Sequence, residues 1–220
     1  MNLFLAVLGA DLKDRFTRIS TFIYFVLFML ISFILALSAA GVFESVQINF
    51  GGSSRVFINS PYSVQMTFAV ISFFSVFLIA PIFGQNAFKD YLFGFDEITG
   101  SRNYSRTAYF FARYLSATIT SLFILSSISI GYFLGTLYPE IDPAYLGASS
   151  FYSYVHPYVY VIIPNILIFG GLFYCMGSFF KKMAYVYLSG AVVFMGWMLS
   201  GQLGRDVETY MLGALVDPSG

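Results

Sequence analysis

Five stretches of this chain carry no Asp, Glu, Lys or Arg over lengths that match a lipid bilayer: residues 19–40, 64–83, 114–137, 158–180 and 183–203. A hydrocarbon core about 30 Å thick is crossed by about 20 helical residues. Lipid offers no water to unpaired backbone groups, so a spanning segment must satisfy them internally, as a helix does. A charge at the centre of such a span costs about 2.5–3.5 kcal/mol, and those that persist mark proton or ion routes. Their absence from all five runs argues against a proton-coupled pump or an ion channel with a charged lining. The expected fold class is therefore all-α integral membrane, a polytopic bundle of five transmembrane helices. Only 10% of residues are charged, against about 25% in a soluble domain, which agrees. Aromatic residues make up 20%, as suits a lipid-facing surface with interfacial belts.

Residues 1–18 precede the first span. An apolar start, Leu3 to Leu8, is followed by Asp11, Lys13, Asp14, Arg15 and Arg18. A secretory signal has the reverse order. Leu5, Leu8, Leu12 and Phe16 recur at helical spacing, which predicts a short helix in the membrane interface with Lys13, Arg15 and Arg18 as anchors. Residues 41–62 form a polar connection, with a hairpin expected at Gly51-Gly52. Pro81 is expected to bend or stop the second span, and Pro164 to kink the fourth. The third span is rich in Ser and Thr, whose hydroxyls can bond back to their own helix or across to another. Residues 138–157 form a loop crowded with tyrosines. Gly170, Gly171 and Gly177 allow close approach of another helix, and Gly196, Ser200 and Gly204 make a small-xxx-small ridge on the fifth span. Lys181 and Lys182 end the fourth span in a tight basic turn.

The longest polar interval is residues 85–113, QNAFKDYLFGFDEITGSRNYSRTAYFFAR. With the N-terminal segment and the Lys181–Lys182 turn it holds nine of the eleven Lys and Arg. Alternating spans put these three segments on one side, and positive loops stay inside. The N terminus and residues 85–113 are thus expected in the cytoplasm, with Arg113 leading into the membrane as a further anchor. This loop is where a soluble partner would be met.

Some chemistry is excluded. The single cysteine, Cys175, allows no internal disulfide and no cysteine-cluster metal site. The single histidine, His156, lacks an HExxH context, and no GxxxxGKS/T phosphate loop occurs. Zero net charge gives no electrostatic case for nucleic acid.

The start, DLKDRFTRISTFIYFVLFMLISFIL, resembles the opening of a type-2 ATP-binding-cassette (ABC) transporter permease, in which a basic interfacial helix leads into the first span. The interval KDYLFGFDEITGSRNYSRTAYFFARYLSA resembles that family's pattern of a basic–acidic pair, an acidic patch, a polar turn, then Tyr and Arg entering the third span. Lys89-Asp90, Asp96-Glu97, Arg106, Tyr109 and Arg113 fill those positions. Thr99-Gly100-Ser101 stands where the family often has a Thr-Thr-Pro turn. The family's half-transporter has six spans, of which these would be the first five. The resemblance implies one permease domain over residues 1–220, with no catalysis and no cofactor of its own. Its partners would be a separate ATPase subunit, a second permease half or copy, and the inner-membrane lipid. It also implies a coupling element at Phe93, Phe95, Asp96, Glu97, Arg102 and Arg106. Asp96 can cap a helix there, with Glu97 in its first turn. Arg102 and Arg106 would share a helical face. The closing ALVDPSG resembles a segment of bacterial permeases fused to a gluzincin-type zinc aminopeptidase. An alternative expectation is therefore a membrane anchor for a C-terminal peptidase domain.

Overall fold

The computed structural model describes residues 3–43, 57–92, 94, 105–148 and 150–203, with side chains as far as Leu199. Helix takes up 86% of the described residues, and no strand occurs among them. In chain order the elements are α1 (Leu3–Thr17), α2 (Ile19–Ala39), α3 (Pro61–Leu92), α4 (Arg106–Thr136), α5 (Tyr152–Pro157), α6 (Ile163–Phe180) and α7 (Met183–Leu203). A 3₁₀ turn at Pro143–Tyr145 and a π-turn at Tyr158–Ile162 complete the order. α5, the π-turn and α6 run on as one apolar rod, Tyr152–Phe180. That rod, α2, α3 and α4 are the four helices long and apolar enough to cross a membrane, and α7 is apolar from Met183 to Leu199. Together they suggest a multi-pass membrane protein. The Gly51-Gly52 hairpin falls outside the described residues.

The helices outrun the charge-free stretches. α3 continues to Leu92 and α4 begins at Arg106, so much of residues 85–113 is helix rather than loop. Residues 152–157, expected in a loop, are helical as well. Hydropathy marks where lipid can lie, whereas a helix ends where its hydrogen-bond ladder ends. Pro81 does not stop α3. The non-helical residue comes later, at Phe88 (φ −127°, ψ 20°). Pro164 acts on the turn before it. Proline has no amide proton for the carbonyl four residues back, and the chain widens there: the Ile163 N–H reaches the Tyr158 carbonyl, five residues away.

The described chain divides into two compact units. One draws on Met1–Thr17, Phe73–Ser121 and Asn165–Gly220, the other on Arg18–Ser72 and Leu122–Pro164.

In the second unit α2 lies directly on α4. A Cβ at Gly131 would fall on the backbone carbonyl of Met29, and one at Gly135 would meet Ala36 and the Phe33 carbonyl. The buried Ser32 hydroxyl donates to the Ile128 carbonyl at 2.6 Å across the same seam. Gly131 and Gly135 are four apart on one face of α4, the spacing that lets helix backbones touch in lipid. On α4 in this unit the Ser126, Ser127 and Thr136 hydroxyls bond back to their own helix. At one end of this unit the Asn59 amide pairs with both backbone groups of Gly147, at 2.7 and 2.8 Å. The Tyr132 hydroxyl donates to the Ile58 carbonyl. Leu37, Ala40, Ile58 and Ile141 close an apolar cluster beneath that connection. The His156 ring lies between Tyr152 and Tyr160, centroids 5.1 and 4.4 Å away.

In the first unit α3 packs on α6 and α7. A Cβ at Gly177 would meet Ala87 and the Gly84 carbonyl, one at Gly170 the Phe83 ring, and one at Gly84 the Val186 methyls. The α6–α7 joint is sharp because Lys181 takes a left-handed conformation (φ 51°). Its N–H closes on the Gly177 carbonyl at 3.0 Å, the single bond of an αL helix stop.

Candidate functional site: a charged cluster on α1, α3 and α4

Within the first unit, three helices each contribute polar residues at helical spacing. α1 supplies Asp11, Asp14 and Arg15, α3 supplies Asn86, Lys89 and Asp90, and α4 supplies Tyr109 and Arg113. Residues three and four apart share a helix face, so each set projects as a group. The break at Phe88 falls inside the α3 set, between Asn86 and Lys89.

Arg113 is the centre of the cluster. It is 7% exposed, and its Nη2 lies 2.5 Å from Asp90 Oδ1. The Tyr109 hydroxyl donates to the other Asp90 oxygen and accepts from Arg113 Nη2, closing a three-membered ring of hydrogen bonds. Arg113 Nη1 donates to the Asn86 carbonyl at 3.3 Å, and Asn86 Nδ2 donates back to the Arg113 carbonyl at 3.0 Å. Helices α3 and α4 are thus cross-linked at both side-chain and backbone level, just before the chain leaves one and just after it enters the other.

α1 completes the set. Lys89 Nζ is 2.9 Å from Asp14 Oδ2 and 3.5 Å from Asp11 Oδ1. Arg15 donates to Asn86 Oδ1 at 2.6 Å and to the Ile82 carbonyl at 2.9 Å. Asp11 Oδ2 faces Arg113 Nε at 3.9 Å, an ion pair without a hydrogen bond. Three carboxylates (Asp11, Asp14, Asp90) thus balance three cations (Arg15, Lys89, Arg113). Charges removed from water are tolerated when paired and hydrogen-bonded, and the fork of Arg113 is suited to such pairing. The arrangement contains no nucleophile–base pair. Among the described residues no group of three or more His, Cys, Asp or Glu is placed to hold a metal ion. Its chemistry is mechanical, a brace on the helix ends that flank residues 93–105.

The residues singled out in the sequence are placed as follows. Arg106 opens α4 and is exposed. Phe93, Phe95, Asp96, Glu97 and Arg102 lie outside the described residues. Lys13 and Arg18 are exposed and Arg15 is half-buried. Arg113, expected to be a headgroup anchor, is instead buried within the cluster, because α1 and α3 both offer it carboxylates. Lys181 and Lys182 are exposed, and the Lys181 ammonium sits 4.6 Å from the Tyr91 ring centroid, a cation–π contact. A Cβ at Gly171 would meet the Tyr114 hydroxyl at 3.9 Å, ordinary contact. Gly196 is half-buried in α7. The Ser200 side chain and Gly204 lie outside the described residues. Sequence reasoning did not single out Asp11, Asp14 and Asn86, although their helical spacing was visible. It also passed over Gly131 and Gly135, although GYFLG spells a close-packing pair.

No protein-family model, curated protein sequence or solved structure matches the chain.

Proposed function

We propose that this chain is a permease subunit of an ABC transporter in a cytoplasmic (inner) membrane, driven by ATP hydrolysed on a separate subunit. In this reading the N terminus and residues 93–105 face the cell interior. Phe93, Phe95, Asp96, Glu97, Arg102 and Arg106 form the contact with the ATPase subunit. A second copy or a second permease half completes the transport path. The observation that carries the reading is the Arg113–Asp90–Tyr109 brace. A segment that transmits force needs both of its ends fixed to the same body, and this brace joins α3 and α4 where they flank residues 93–105. A push on residues 93–105 would then move both helices together instead of being absorbed by one. The resemblance of the same interval to type-2 ABC permeases adds to this.

The test is affinity purification of the full-length chain in mild detergent after co-expression with its cognate ATP-binding subunit. The expected result is a stoichiometric complex with ATPase activity. Asp96→Lys with Glu97→Lys, or Arg102→Glu with Arg106→Glu, should abolish the complex while leaving the permease in the membrane. A complex that survives both reversals with unchanged ATP turnover would remove the coupling assignment.

A further inference from the structure

We infer that α1 is an electrostatic strap, clasped onto the ends of α3 and α4 by its charged half and able to be released from them as a unit. The inference holds whichever partner residues 93–105 take.

α1 is divided along its length. Its first half, Leu3 to Leu8, is apolar, and Leu3 and Leu5 are exposed. Its second half holds Asp11, Asp14 and Arg15. The most buried residue of the helix is a carboxylate, Asp11, while Phe4, Val7, Leu8, Leu12 and Phe16 are only half-buried. What fixes the second half of α1 to the first unit is charge: Asp14 and Asp11 on Lys89, Asp11 beside Arg113, and Arg15 on Asn86 and the Ile82 carbonyl. The Lys89–Asp14 pair is part-exposed, with side chains 27% and 38% accessible. Water can therefore replace each partner when the pair opens, which buried apolar packing would not permit so readily.

The helix also has a natural joint. Arg18, between α1 and α2, is extended (φ −81°, ψ 127°) and carries no side-chain cap. α1 is thus a separate rod, free of α2's hydrogen-bond ladder. A freed rod of this size would fray, because isolated helices of about 12–15 residues are marginal in water.

Release would matter to the brace. Arg113 is shared between Asp90 on α3 and Asp11 on α1. Lifting α1 removes one of its two carboxylates and also the Arg15 contact that holds the Asn86 amide. Clasped, α1 stiffens the α3–α4 brace; released, it leaves Arg113 with Asp90 as its one carboxylate, beside the Tyr109 and Asn86 bonds.

The test is hydrogen–deuterium exchange on the full chain in nanodiscs. Lys89→Glu places a third negative charge against Asp11 and Asp14. It should raise exchange across α1 at least tenfold and exchange in the first turn of α4 measurably, while α6 stays protected. The swap Asp14→Lys with Lys89→Glu should return α1 to within twofold of the parent chain. Lys89→Gln, which removes charge without repulsion, should give an intermediate rise and provides the reading if the reversal misfolds. Unchanged α1 exchange in both single variants would overturn the strap. So would a rise in α6 equal to that in α1 that the swap fails to reverse.

Discussion

Arg113 joins residues of three helices through one side chain. It touches Asp90, Tyr109 and the Asn86 carbonyl, and faces Asp11. Replacing it with Met would keep its aliphatic bulk but strand Asp90 without its cation and leave Asp11 with Lys89 alone. Removing one partner of a buried pair costs about 3–5 kcal/mol. The Asp90 side chain is 23% accessible, so the lower end, about 3 kcal/mol, is expected. Reversible unfolding in mixed micelles would measure the loss. Arg113→Lys should recover only part of it, because an ammonium keeps the charge but cannot donate in parallel to Asp90, Tyr109 and a carbonyl. Full recovery by Lys would mean that net charge, rather than the fork, holds the cluster.

Among the elements, the closest contact is between α2 and α4. Gly131→Leu would drive a side chain into the backbone of Met29. Overpacking costs about 1–3 kcal/mol where neighbours can yield, and a carbonyl oxygen cannot move aside without bending α2. Destabilisation at or above that range is expected. Gly171→Ala, whose nearest neighbour is 3.9 Å away, should stay within about 0.5 kcal/mol. Thermal unfolding of the two variants in one detergent compares them directly. The charge-free runs made the apolar helices legible in the sequence, since hydropathy over such lengths has few other meanings. Helix ends were not legible in that way. Asn86, Lys89, Asp90, Tyr109 and Arg113 look like loop residues when polarity stands for loop, yet all five are helical. Gly131 and Gly135 were hidden for the opposite reason, as a glycine inside an apolar run looks like more of the run. The charged cluster was legible only as spacing within each helix. That three such faces converge is a fact of tertiary packing, and no single segment records it.

At the scale of the whole molecule, the proposal depends on which way the bundle sits in the membrane. In the proposed orientation residues 93–105 lie inside, the side that the distribution of Lys and Arg favours. In a chain carrying Cys175→Ser and Ser101→Cys, a membrane-impermeant maleimide added to intact cells should leave Ser101→Cys unmodified, and the same reagent should label it in inverted vesicles. Labelling from outside would reverse the orientation and with it the meeting point for an ATPase. The balanced cluster also has a consequence for how the protein is made. Asp90 leaves the ribosome before Arg113 does, so this acid exists before the cation that neutralises it, whereas Asp11 and Asp14 already have Lys89. Until α4 emerges the Asp90 carboxylate lacks both Arg113 and Tyr109 and must stay hydrated. The arginine's arrival is thus the step in biogenesis at which α1, α3 and α4 can first come together as one body.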